Sequence, residues 1–273
     1  MAVAPPLLVA APTITPARFG LQSAADQQLI DPAQRIRNGV AWEPNPCGPA
    51  KLDPAECGDT PTDRDVPDGI GLDSAEPIVV YNGFTCRAVG LTEQAMLDRA
   101  TASLLTEWVA VEQAVWASTG LRLMNDTTGE ETAVLAEDPV PLVSGIGLLE
   151  GFLGANYGGI GVLHTPREVA SHAAAAQQIS TEPGRLVTVL GTRWAFGAGY
   201  PNTGPDGAPA AADTAWIVAT GAVTYRRTEI THRPGSMREA FNYANNEIRA
   251  IAERTYVVAW DECVRAAVPV SLT

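Results

Sequence analysis

The chain has 273 residues, 46% of them apolar and 18% charged, with 31 acidic against 18 basic side chains and a formal net charge of −13. That length fits one large domain or two intertwined subdomains with ample material for a core. The acidic surplus repels a phosphate backbone and argues against sequence-independent nucleic-acid binding, since no basic run exceeds Arg226-Arg227.

Residues 1–35 hold five prolines and little periodicity. They read as an extended arm, stable only where it lies on something and disordered in a lone subunit. The opening residues are apolar but lack a basic flank, so they do not read as a secretion signal. No uninterrupted apolar run reaches the roughly 18 residues of a membrane-crossing helix. A protein made and kept in the cytoplasm is expected.

Residues 36–90 begin and end with strand-like runs, Gly39-Val-Ala-Trp42 and Pro77-Ile-Val-Val-Tyr81, the latter continuing through Phe84-Thr-Cys86-Arg-Ala-Val89. A long stretch rich in Pro, Gly and Asp separates them. Two strands with a long polar tip predict a hairpin-like arm projecting from the body. Residues 91–120 are the clearest helix. Thr92 is a plausible N-cap with Glu93 in the first turn, and Gly120 is a natural stop. Leu97, Ala100, Leu104, Trp108, Val111 and Val115 recur at helical spacing. A helix of about 28 residues spans roughly 42 Å and would be a spine for the fold.

A polar connector or a hairpin follows over 121–140, with turn signals at Asn125-Asp126 and Thr128-Gly129. Val140 to Leu153 predicts a helix and Ile160 to Leu163 a buried strand. A helix over Pro166–Gln178 is expected, with Thr165 at its cap. Strands are expected at Leu186–Leu190, at Arg193–Phe196 and around Gly221 within Thr214–Arg226, with a Gly/Pro loop over 199–213. The Ala-, Glu- and Arg-containing run 237–254 predicts a last helix, followed by Thr255–Trp260 and a terminal strand. Strands and helices mixed without βαβ regularity give an α+β class.

Little here resembles a reaction centre. The histidines His164, His172 and His232 lie in no metal-binding or hydrolase motif, and His164 reads as a structural histidine at a strand end. Cys47, Cys57, Cys86 and Cys263 show no C-x-x-C spacing. Cys47 and Cys57 share the polar tip, where a disulfide or two free thiols both fit. Asp63-Arg-Asp65-Val-Pro-Asp68-Gly69 misses calcium-loop spacing by one residue and reads as a solvated acidic loop. Gly145-Ile-Gly147-Leu-Leu-Glu-Gly151 is off the dinucleotide fingerprint, and close helix packing explains it better. No catalytic, cofactor-binding or metal residue is assigned.

Three segments carry a resemblance: Gly161-Val-Leu-His-Thr-Pro-Arg-Glu-Val-Ala170, Leu190-Gly191 through Gly199-Tyr200, and Glu253-Arg254-Thr-Tyr-Val-Val258. Together with the order of arm, two-stranded loop, long helix and mixed remainder, they resemble tailed-bacteriophage major capsid proteins with the HK97 fold. In that family the first segment looks like a strand entering an axial-domain helix, the second like the strand pair that follows, and the third like a late helix-to-strand passage. The resemblance implies an N-terminal arm at 1–35, an extended loop at 36–90 and a peripheral domain with a spine helix at 91–139. It further implies an axial domain at 140–236 and a return helix with closing strands at 237–273.

The function implied is self-assembly, as hexamers and pentamers, into an icosahedral capsid that encloses double-stranded DNA without binding it specifically. The implied location is the virion, after synthesis in the host bacterial cytoplasm. Implied further partners are scaffolding, portal and cement proteins, with no membrane and no cofactor. Some members form a lysine–asparagine crosslink between subunits. Lys51 lies in the loop, and Asn242, Asn245, Asn246 and Glu247 lie late in the chain, against the plainer reading of an exposed loop lysine. The alternatives are an encapsulin-like compartment shell, another virion protein, or a small soluble α+β enzyme.

Overall fold

The computed structural model describes residue 9 and residues 12–30, 36–44, 50–52, 71–87, 92–117, 122–124, 132–262 and 264–273. A short helix α1 (Leu21–Ala24) and strand β1 (Asp26–Gln27) lead to the ribbon β2 (Val40–Trp42) and β3 (Asp73–Ala75), then to the long strand β4 (Ile78–Arg87). Helices α2 (Glu93–Ser103) and α3 (Glu107–Ala117) follow, joined by a 3-10 turn at Leu104–Thr106. Next come β5 (Ala133–Val134), β6 (Val140–Pro141), α4 (Leu142–Asn156), β7 (Val162–Pro166), α5 (Val169–Ala175), β8 (Ser180–Glu182), β9 (Arg185–Val187) and β10 (Arg193–Gly197). The chain closes with β11 (Thr214–Thr220), β12 (Thr224–Arg227), β13 (Thr231–Arg233), α6 (Met237–Ala240), β14 (Phe241–Asn242), β15 (Glu247–Ala259) and β16 (Arg265–Ser271).

The first sheet is six-stranded and is organised by β15, which pairs with β12, β13, β14 and β4. Its ladder with β4 is antiparallel and runs from Glu247↔Arg87 to Tyr256↔Ile78. Here the helix expected over 237–254 is corrected. Only Met237–Ala240 is helical, capped by the Ser236 side chain, and Glu247–Ala259 is a single strand. The run Glu247-Ile-Arg-Ala-Ile-Ala-Glu253 alternates, burying Ile248, Ala250 and Ala252 while Arg249 is exposed. Period-2 burial against α2 outweighs the helix propensity of Ala, Glu and Arg. The passage expected at Glu253–Val258 is therefore strand throughout.

Helix α2 begins as expected: Ala95 N donates to the Thr92 hydroxyl at 3.2 Å. An apolar stripe continues from α2 through the 3-10 turn into α3 and joins the core under the first sheet, with Met96, Ala100, Leu104, Val111, Val115 and Trp116 buried. The single long spine is corrected to two helices across the 3-10 turn. Ser103 Oγ donates back to Ala100 O at 2.7 Å, a hydroxyl back-bond of the kind that bends helices. The expected stop at Gly120 lies outside the described residues, as do the turn signals at 125–129.

The second sheet has eight strands in the order β5-β16-β11-β7-β10-β9-β8, with β6 also on β16. Its pleat divides two cores. Leu163, Trp194, Phe196, Ile217, Ala219, Ala266 and Val268 face α4 and α5, whereas Val162, Ala195, Val218 and Ala267 face the core shared with the first sheet. Both faces being buried explains the near-continuous apolar runs of β11 and β16. The chain crosses between sheets at residues 221–223 and again between β15 and β16, so β12 and β13 belong to the first sheet.

The helix expected from Pro166 is also corrected. Pro166 ends β7, paired with Gly197, and α5 starts at Val169 without a side-chain cap. Proline, lacking an N–H, is tolerated at a strand end. Close packing does explain Gly145, where an added Cβ would lie 2.4 Å from Val270 Cγ1. It does not explain Gly147 or Gly151, which face open space.

Candidate functional site

Described residues 18–28 lie on the body of their own subunit, contrary to the disorder expected of the arm. Leu21 and Ala24 are buried, and β1 adds to β12 in parallel. Two carboxylates fasten this segment. Glu112 of α3 accepts Leu21 N at 2.9 Å through Oε1 and Gly199 N at 3.0 Å through Oε2. Burial pushes its carboxyl upward, opposed by the amides of Gly199, Leu21 and Ala198 and by the Arg167 guanidinium. Asp26 pairs with Arg185 and, at 2.8 Å, with Arg193. Burial works to raise the Asp26 carboxyl, but hydrogen bonds and charge from Arg193 and Arg185 hold it below its ordinary value. Arg167 Nη1 donates to Arg18 O at 2.8 Å, and Phe196 N to Phe19 O at 2.8 Å.

Both glycines beside Glu112 are required by space. A Cβ on Gly20 would sit 2.2 Å from Glu112 Oε1, and one on Gly199 would sit 2.0 Å from Val109 O. Gly20→Ala is therefore expected to detach residues 18–22 while the Asp26 anchor holds. Trypsin should cleave after Arg18 at least about tenfold faster, the loss of one charge-assisted hydrogen bond. Unchanged cleavage would show that the Glu112 clasp does not hold the arm. Nothing in sequence periodicity singles out Glu112 or Asp26, because their partners are 91 and 167 positions distant.

The two-stranded ribbon is fastened at its root. Trp42 Nε1 donates to Asp261 Oδ1 at 3.2 Å and Glu262 N to Asp73 Oδ2 at 3.4 Å, tying β2 and β3 to the crossing between the sheets. Lys51 is exposed, and so is Leu52 (95%). Cys47, Cys57 and the acidic run 63–69 lie outside the described residues, as does Cys263; Cys86 is a free thiol. Asn242 sits in β14, and Asn245 Nδ2 donates to Glu247 Oε2 at 2.5 Å.

The histidines do not converge. His172 lies on α5, and half-buried His232 Nε2 meets Thr101 Oγ1 at 2.8 Å. His164 is wholly buried within β7, not at the strand's end. The Thr220 hydroxyl donates to Gly221 O at 3.0 Å, so His164 Nε2 donates to Thr220 Oγ1 at 3.0 Å and Nδ1 accepts from Tyr200 OH at 2.9 Å. Among the described residues, no three His, Cys, Asp or Glu side chains stand close enough to hold a metal.

Burial lowers the His164 pKa from 6.5 to about 3. The unfolded chain takes up this proton below pH 6.5 and the folded one does not, so the stability His164 contributes is full above 6.5 and lost on acidification. Stability should fall by up to about 1.4 kcal/mol per pH unit between 6.5 and 3 from this residue alone. His164→Gln should flatten that part of the profile in denaturation titrations. Identical profiles for the two proteins would contradict the assignment.

No protein-family model matches the chain, and no curated protein does. Solved structures do match along nearly its whole length. The capsid of a native GTA particle aligns at a TM-score of 0.55 with 13% identity, covering 98% of this chain and 95% of that one. The SrpI encapsulin complex of Synechococcus elongatus aligns at 0.54 with 10% identity, covering 97% and 94%. A chain of Mycobacterium phage Che8 aligns at 0.50 with 12% identity, covering 97% and 96%. The chain has the HK97-like capsid fold, α+β in class.

Proposed function

We propose that this protein is the major capsid subunit of a tailed bacteriophage, assembling into an icosahedral shell of hexamers and pentamers around double-stranded DNA. The observation that carries the reading is the end-to-end likeness to the GTA-particle capsid, which covers 98% of this chain and 95% of that one. An open ribbon rooted in a rigid body, an arm laid along its surface and large exposed apolar side chains at Ile14, Leu29, Leu52 and Leu72 all suit a subunit completed by its neighbours. In this reading residues 1–35 are the arm and 36–90 the extended loop. Residues 91–139 form the peripheral domain, 140–236 the axial domain and 237–273 the closing strands. The function resides in surfaces, with no catalytic centre or cofactor. Scaffolding, portal and cement proteins are the further partners, the virion is the location and the host cytoplasm the site of synthesis.

A second reading, a compartment shell, is favoured by the likeness to the SrpI encapsulin. The two separate on contents. Particles purified after nuclease treatment should contain protected double-stranded DNA if the protein is a phage capsid, when made with its packaging partners. A co-purifying enzyme in place of DNA would favour the compartment.

A further inference from the structure

We propose that the outward face of β4 and β15 binds a carboxylate-bearing segment of a second copy of this chain, a contact that deepens the shell reading and rests on it. The strand register puts Arg87 opposite Glu247, Thr85 opposite Arg249, Gly83 opposite Ile251 and Tyr81 opposite Glu253. Alternation sends Val80 and Ile248, Ala250 and Ala252 inward to the core, leaving Tyr81, Thr85, Arg87 and Arg249 on the solvent side. A hollow of about 310 Å³ lies over the paired strands, lined by Tyr81, Gly83, Thr85, Arg249 and Ile251.

Elsewhere in the described residues the guanidiniums of Arg185, Arg193, Arg233, Arg254 and Arg265 are each paired with a carboxylate of the same chain. Arg87 and Arg249 are exposed and, like Arg99 and Arg238, have no such partner among the described residues; they are distinguished by standing as diagonal neighbours on one sheet face. Glu247, the acid nearest Arg87 in the register, accepts from Asn245 instead. Tyr81, 68% exposed, and Val79, 57% exposed, supply apolar surface on the same face. Diagonal neighbours on paired strands stand about 7–8 Å apart, so the two guanidiniums can grip successive carboxylates of one extended strand. A chain with 31 acidic and 18 basic side chains carries the complement in excess. That excess disfavours a nucleic acid as the occupant, because the rest of the molecule repels it.

The test is sedimentation of the full chain at low and high salt, comparing wild type, R87E/R249E and R87K/R249K, with circular dichroism as the check of folding. The proposal expects wild-type self-association that weakens with salt, a loss of at least about tenfold in R87E/R249E, and near-wild-type behaviour in R87K/R249K. Equal association of the charge-reversed and wild-type proteins would overturn it, as would a wild type that stays monomeric at low salt. A double-stranded DNA fragment retained by wild type and released by R87E/R249E, with self-association unchanged, would also overturn it in favour of a phosphate ligand. Wild-type association that is salt-sensitive yet never closes into particles would instead count against the shell reading alone.

Discussion

Trp194→Ala is expected to lower subunit stability by about 3–5 kcal/mol, a large share of the whole stability of a domain. Trp194 sits in β10 with no exposed surface, at the centre of the core between the second sheet and helices α4 and α5. Its ring stacks on Phe196 at a centroid distance of 4.8 Å and an interplanar angle of 15°. Its Nε1 donates to Gln178 O at 3.0 Å, tying the turn after α5 to the sheet. Truncation opens a cavity against Leu163, Ile217 and their neighbours and leaves the Gln178 carbonyl without its donor. Trp194→Phe keeps most of the volume and should cost less, about 1–2 kcal/mol. Urea denaturation of the two variants measures the difference, and a cost under about 1 kcal/mol for alanine would mean that this core collapses around the void.

Arg254→Met alone is expected to cost about 3–5 kcal/mol, and the double variant Glu107→Leu/Arg254→Met markedly less than the sum of the single changes. Arg254 Nη1 meets Glu107 Oε1 at 2.7 Å, with the two side chains only 13% and 12% exposed. The pair joins β15 to the first residue of α3, just after the 3-10 turn that separates α2 from α3. It is imperfectly satisfied, since among the described residues Glu107 Oε2 and Arg254 Nε are buried without a hydrogen-bond partner. A lone survivor of such a pair is an uncompensated charge, whereas two apolar side chains of similar volume leave none. Additive costs in a double-mutant cycle would show that the two groups do not act as a pair.

The parts legible in the sequence are those with local causes. The Thr92 cap and the stripe from Ala100 to Val115 mark α2 and α3 because cap geometry and helical periodicity are written within a few residues. The β-branched and aromatic runs at Ile78–Tyr81 and Thr214–Thr220 mark strands for the same reason. Residues 247–254 mislead because their composition favours helix while their alternation favours strand, and the ten-pair ladder with β4 decides between them. The arm is misread for a different reason: Leu21 and Ala24 look unremarkable alone, and their burial depends on Glu112, Arg185 and Arg193 far along the chain. Candidate chemistry around His164 resolves into a packed, neutral side chain between two hydroxyls, so its place is in the core shared by the two sheets.

In the proposed reading this fold completes itself in a shell. Cryo-electron microscopy of the full chain, expressed alone and together with its genomic neighbours, tests it most directly. Closed particles are expected in at least one of the two preparations, with the subunit in fivefold and sixfold rings, its ribbon laid on an adjacent copy and residues 18–28 kept on their own subunit. A uniform species of one or two chains in both preparations, with no closed particle, would contradict it.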